Sequence, residues 1–127
     1  MKKSEEVTFS FETLEVWQKS VGFAKEVIEL SENIDTRRHY RLIEQLLAAS
    51  TSIASNIAEG KGRYSKKEFI QFLYVARGSL YEVITLLVIF HKKKWINNTQ
   101  FRQIKGLGDE IGKMISGLVN SIKNSMK

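Results

Sequence analysis

Apolar residues recur at spacings of three and four along four long segments, and each segment reads as an amphipathic helix. In the first, about residues 12–31, Leu14, Trp17, Val21, Ala24 and Ile28 form one stripe. Val16, Phe23, Val27 and Leu30 form a second beside it, a buried face wider than one partner helix needs. The second segment, about 37–58, turns Tyr40, Ile43, Leu47, Ser50, Ile53 or Ala54, and Ile57 inward. Its middle, Ala48 to Ser55, has little bulk on any face, which lets a neighbouring helix come to the short end of the usual ~8–10 Å range. Hydroxyls buried there are expected to bond the carbonyl one turn back.

The third segment, about 65–93, aligns Phe69, Phe72, Leu73, Ala76, Leu80, Val83, Leu87 and Phe90. Its run Val83 to Phe90 is β-branched enough to pass for a strand, yet no turn separates it from the helical pattern. A helix this apolar all round is buried on several sides, which predicts a central helix with contacts to further copies. The fourth, about 99–122, repeats Phe101, Ile104, Gly108, Ile111, Ile115, Leu118 and Ile122. Gly106, Gly108, Gly112 and Gly117 each cost about 1 kcal/mol against alanine inside a helix, so docking must hold this element.

The connections carry stop and start signals. Asp35 or Thr36 is placed to cap the second helix, and Ser65 with Glu68 makes a capping box for the third. Gly60 and Gly62 are expected to supply a left-handed C-cap and the turn between them. With no proline to interrupt the helices, the expected fold is all-α, an antiparallel up-down four-helix bundle occupying residues 1–127 as one domain.

The absence of cysteine from all 127 residues excludes disulfides, thiolate nucleophiles and cysteine-based zinc sites. The opening Met-Lys-Lys-Ser-Glu-Glu lacks the apolar run of a signal peptide, and no wholly apolar stretch approaches the ~20 residues of a membrane span. A cytoplasmic protein without membrane contact is therefore expected. No nucleophile elbow, phosphate loop or HExxH motif is present. A di-iron bundle needs paired Glu-x-x-His motifs, and no glutamate stands three before His39 or His91. Surface or capping histidines, no metal, no cofactor and no enzymatic activity are expected.

Charge is distributed unevenly. Residues 1–35 hold four Lys/Arg and eight Asp/Glu, a net of −4, whereas residues 36–127 hold sixteen and six, a net of +10. That balance suits an anionic partner such as RNA or DNA. In an up-down bundle Arg37, Arg38 and Arg41, Lys92, Lys93 and Lys94, and Arg102 share one end with Tyr40 and Trp95. Lysines at a helix C-terminus complement its dipole. Two arginines at a helix N-terminus do not, and suit either a bound phosphate or neutralisation by Asp35 and Glu32. Lys61, Arg63, Lys66 and Lys67 form a second cluster with Tyr64 at the opposite end.

The run Gln45-Leu46-Leu47-Ala48-Ala49-Ser50-Thr51-Ser52-Ile53-Ala54-Ser55-Asn56-Ile57-Ala58-Glu59-Gly60 is the most specific segment, followed by Ser65-Lys66-Lys67-Glu68-Phe69 and Ala76-Arg77-Gly78-Ser79-Leu80-Tyr81-Glu82. It closely resembles the 23S rRNA intervening-sequence proteins, a four-helix-bundle family, and the likeness extends from Leu14 to Ile96. The resemblance implies a homopentamer, encoded in some bacteria within inserts in ribosomal RNA genes. It also implies structural kinship with the accessory protein of diversity-generating retroelements, which binds nucleic acid and a reverse transcriptase. No enzymatic activity is established for the family. Where the family often has Phe-Pro before the second helix, this chain has Asn33-Ile34-Asp35, so its first turn is expected to differ.

The polar residues of the signature read as structural. Glu59 faces the negative end of its own helix and needs a donor such as Arg63, Arg77 or the amides opening the third helix. Asn56 lies one turn inward, and Ser79 and Glu82 could complete a network across the second and third helices, with Gly78 permitting close approach. The expected function is a non-enzymatic oligomer that binds RNA or DNA and works with a nucleic-acid-processing protein. The competing expectation is a protein-interaction adaptor whose charge only solubilises it.

Overall fold

Helix ends in this protein are set by local chemistry more than by where the apolar pattern begins. The computed structural model describes residues 6–127, which form a short 3-10 turn at Ser10–Thr13 and the helices α1 (Glu15–Ser31), α2 (Thr36–Lys61), α3 (Lys66–Lys92) and α4 (Asn98–Ser125). The Glu12 carboxylate accepts from Phe9 N at 2.7 Å and holds the 3-10 turn, and Leu14 is extended, so α1 starts three residues later than its pattern predicts. Asp35 caps α2 by accepting from Arg37 N at 3.1 Å. Ser65 caps α3 by accepting from Glu68 N at 3.1 Å, although the return bond from the Glu68 side chain is not made among the described residues. A reciprocal box forms instead at α4, between Asn97 and Gln100.

The four helices make an antiparallel bundle in which α1 packs on α2 and α4, and α3 packs on the same two from the opposite corner. The α2–α3 pairing is the most intimate, as the small middle of α2 requires. Phe23, Val27, Leu46, Ile53, Ile57, Leu73, Leu80, Val83, Leu87, Phe90, Ile111 and Ile115 fill the core. The buried Ser50 hydroxyl bonds the preceding turn as expected, donating to Leu47 O at 2.9 Å, and on α1 Ser20 does the same to Val16 O at 2.7 Å. By length and composition α3 would also pass for a membrane-crossing helix, yet its inner face packs on α2 and α4.

Three expectations about facing and caps are overturned. Within α1 the inward stripe is Val16, Ser20, Phe23, Val27 and Leu30, while Val21 and Ile28 point outward at 42% and 38% exposure. Ser20 interrupts that stripe in sequence, but its internally bonded hydroxyl packs as an apolar group. On α2, Tyr40 is exposed and Leu46 is fully buried. The backbone leaves helical geometry at His39 (φ −128°, ψ 22°), which puts the first turn out of phase with the rest.

The glycine caps are the third correction. No glycine among the described residues has positive φ. Gly60 lies inside α2, where an added Cβ would stand 2.6 Å from Phe72 Cβ, and Gly62 ends the helix at an ordinary φ of −82°. The residue that turns left-handed is Lys94, φ 63°, after α3.

Candidate functional site

The start of α2, the end of α3 and the start of α4 meet at one end of the bundle. The α3–α4 turn is a complete Schellman motif: Trp95 N donates to Phe90 O at 2.9 Å and Lys94 N to His91 O at 3.0 Å. Its hydrophobic contact is the Trp95 ring against Phe90, centroids 5.0 Å apart. His39 stacks on Trp95 with ring centroids 3.9 Å apart, which ties α2 to this turn. Trp95 is thus half-buried against two rings and is not the free stacking surface its sequence position suggests.

Around this knot Arg37, Arg38, Arg41, Lys92, Lys93, Lys94 and Arg102 are all exposed, with Tyr40 beside them. Arg37 Nε lies 3.9 Å from Asp35 Oδ1, a loose pair on an exposed side chain worth little in water. Among the described residues no carboxylate comes within 4.0 Å of the other six cations. The neutralisation of the helix N-terminus by Asp35 is therefore partial, and among the described residues Glu32 takes no part in it.

The opposite end is built on the α2–α3 turn, and Tyr64 stands fully out from it, surrounded in sequence by Lys61, Arg63, Lys66 and Lys67. Two of these cations already have partners. Arg63 pairs with Glu59 at 3.2 Å and lies over the Phe72 ring at 4.6 Å, and Lys66 Nζ donates to Ser125 Oγ at 3.0 Å. Lys61 and Lys67 project without such ties among the described residues.

The polar residues of the signature do not form one network. Asn56 Nδ2 donates to Ser52 O and Ser52 Oγ at 2.8 and 2.9 Å, and Ser52 Oγ shares a 2.9 Å hydrogen bond with Ser79 Oγ across the α2–α3 seam. Glu82 stands apart, accepting from Gln45 Nε2 at 3.2 Å, and Glu59 is an exposed partner of Arg63. Arg77, an expected alternative donor to Glu59, donates to Ser116 at 3.2 Å and covers the Tyr74 ring. Ser52 and Gln45 are the members that sequence reasoning missed. The spacing of four between Ser52 and Asn56 is the signal that could have found the first.

On the far side Lys19 binds Glu110 at 2.7 Å and Gln103 donates to Glu26 at 3.1 Å, joining α1 to α4. The hydrogen bond and charge of Glu110 hold the Lys19 ammonium protonated above the usual lysine range. The two histidines pack separately: His39 on Trp95, and His91 flat on Phe101 with its Nε2 bonded to Asn98 Oδ1. Among the described residues no three metal-ligating side chains converge.

The family described as 23S rRNA-intervening sequence protein matches residues 12–117. Among solved structures the chain is similar to a protein of unknown function from the S23 ribosomal protein family of Bacteroides thetaiotaomicron, with a TM-score of 0.74 and 25% identity, covering 82% of this chain and 97% of that one. No curated protein matches it.

Proposed function

This chain belongs to the 23S rRNA-intervening sequence protein family, and from that premise we propose that it is a non-enzymatic, oligomeric nucleic-acid-binding protein whose contacts lie at the two ends of its bundle. The observation that carries the reading is the gathering of cations at helix termini, seven around the α3–α4 turn and four around the α2–α3 turn, each group with an exposed tyrosine. Exposed Lys and Arg bind phosphates of any sequence, and Tyr40 and Tyr64 offer rings on which unpaired bases stack. Residues 1–35 carry a net charge of −4, against +10 for the rest of the chain, which disfavours a phosphate backbone along that part of the sequence. In a cyclic oligomer, which the family resemblance implies has five copies, each end repeats around the axis and weak contacts add by multivalency.

Anisotropy of a labelled single-stranded RNA, titrated with protein at several salt concentrations, tests this. The parent should bind at low salt with affinity falling steeply as salt rises. The double variant R37E/R38E should bind all sequences more weakly, with a log–log salt slope shallower by roughly 0.7 for each phosphate that it no longer neutralises. Tyr64→Ala should lose about 1–3 kcal/mol if one base stacks there. A folded parent that retains neither RNA nor DNA at low salt would overturn the proposal in favour of a protein-interaction adaptor.

A further inference from the structure

Between α3 and α4 the surface sinks into an open groove of about 740 Å³, within the size range of ligand clefts. Its floor is Leu80 and Ile84, and the missing side chains of Gly108 and Gly112 let α4 lie close over them: a Cβ added to Gly108 would stand 2.8 Å from Ile84 Cδ1, and one added to Gly112 3.4 Å from Leu80 Cδ2. Tyr81 stands out from the α3 side at 58% exposure, and the exposed Lys105 and Lys113 follow the α4 side. Gly117 lines the same groove, and an added Cβ there would meet nothing within 4 Å. Its missing side chain thus leaves room in the groove instead of serving a contact inside the chain.

The charge along this seam is held in place without being neutralised. Starting from the α2–α3 end, Lys66 is bonded to Ser125, Lys123 Nζ lies over the Tyr74 ring at 5.6 Å, and the half-buried Arg77 lies over that ring at 5.0 Å while it donates to Ser116 in the groove. Toward the α3–α4 end Lys105 Nζ lies over the Phe101 ring at 5.3 Å. A ring fixes the place of a cation and leaves its full charge. Among the described residues no carboxylate comes within 4.0 Å of Lys66, Arg77, Lys105 or Lys123, and Lys113 has only the exposed Asp109 at 3.1 Å, a pair worth little in water. From Lys105 to Lys123 the helical rise covers about 27 Å. The other flank of α4 is different in kind, since there Glu110 holds Lys19 and Glu26 accepts from Gln103.

We infer that a single strand of RNA or DNA lies in the α3/α4 groove and so passes from one basic end of the bundle to the other, with a base stacked on Tyr81 and phosphates on Arg77, Lys105 and Lys113. This rests on the nucleic-acid-binding part of the reading above and gives the strand its path between the two ends. An apolar floor, an exposed ring and a line of fixed cations match the alternation of base and phosphate along an unpaired strand. A duplex keeps its base faces stacked on one another and offers Tyr81 nothing to stack on.

Anisotropy of a labelled oligouridylate tests the path with variants that leave both ends of the bundle untouched. Gly117→Leu puts a side chain into the groove at an exposed helical position where leucine is the better helix former, so it should melt no lower than the parent and bind at least tenfold more weakly. Tyr81→Leu should bind roughly 5- to 100-fold more weakly, and Tyr81→Phe should keep the parent's affinity, because the ring and not the hydroxyl stacks. The double variant K105Q/K113Q should flatten the log–log salt slope by roughly 0.7 for each phosphate it no longer neutralises. Unlabelled single strand should displace the probe more effectively than duplex of the same length. A parent that binds neither RNA nor DNA overturns the nucleic-acid reading and the path with it. A parent whose binding is weakened by R37E/R38E but not by Gly117→Leu or Tyr81→Leu overturns the path alone. Displacement of the strand by polyglutamate as effectively as by unlabelled RNA would overturn it in favour of an acidic protein segment.

Discussion

The two ends of α3 separate glycine from left-handed backbone. Gly60 in the last turn of α2 and Gly62 at its C-cap lead into the α2–α3 turn, yet no residue there takes a left-handed conformation. The α3–α4 turn needs one, for its Schellman motif, and places Lys94 there at φ 63°. Gly60 serves space: it lets Phe72 and Phe69 lie directly on the last turn of α2, with an added Cβ 2.6 and 3.0 Å from their side chains. Lys94 accepts backbone strain of about 1–2 kcal/mol and keeps a cation at the basic end. A glycine in a sequence therefore reports either freedom or room, and only its neighbours say which.

Substitutions at these positions separate the two uses. Gly60→Ala should have the largest effect, because the obstructing atom is the Cβ of Phe72 and not the end of a flexible chain. A loss of about 1–3 kcal/mol, read as a lower denaturation midpoint, is expected from overpacking, whereas an unchanged midpoint would mean the α2–α3 seam is looser than described. Lys94→Gly should raise stability by about 1 kcal/mol by relieving the left-handed strain. If the α3–α4 end grips phosphate, the same variant should bind RNA more weakly despite being more stable. A variant that gained stability and kept full affinity would place the contacts elsewhere. Gly62→Ala should do least, a gain of about 0.5 kcal/mol through the unfolded chain, since its φ suits alanine and the nearest atom to an added Cβ is 3.6 Å away. Thermal melts resolve its sign.

Legibility varied by element for identifiable reasons. In α3 every position expected inward is buried or half-buried, because its apolar pattern is unbroken over the whole helix. α1 misled because Ser20 breaks the true core stripe, leaving Val21 and Ile28 to suggest a neater one. α2 misled at its start, where the His39 distortion shifts the phase, and a dihedral departure of that kind has no periodic signature. The basic clusters were legible because up-down topology alone assigns helix termini to ends. The state of Trp95 was not, since its neighbours Phe90 and His39 come from two different helices.

What the amino-acid order determined by itself is what depends on short-range repetition: the number of helices, the antiparallel bundle, the aspartate and serine caps, and the concentration of positive charge beyond residue 35. These follow from spacings of three, four and seven and from side chains that bond within one turn. Only the tertiary structure decided which of two stripes on α1 faces the core, that Ser79 meets Ser52 and Glu82 meets Gln45, and that Gly60 is filled by Phe72. Those outcomes turn on rotations of a helix about its axis and on distances of a few tenths of an ångström between helices, which close packing settles all at once and no local pattern encodes.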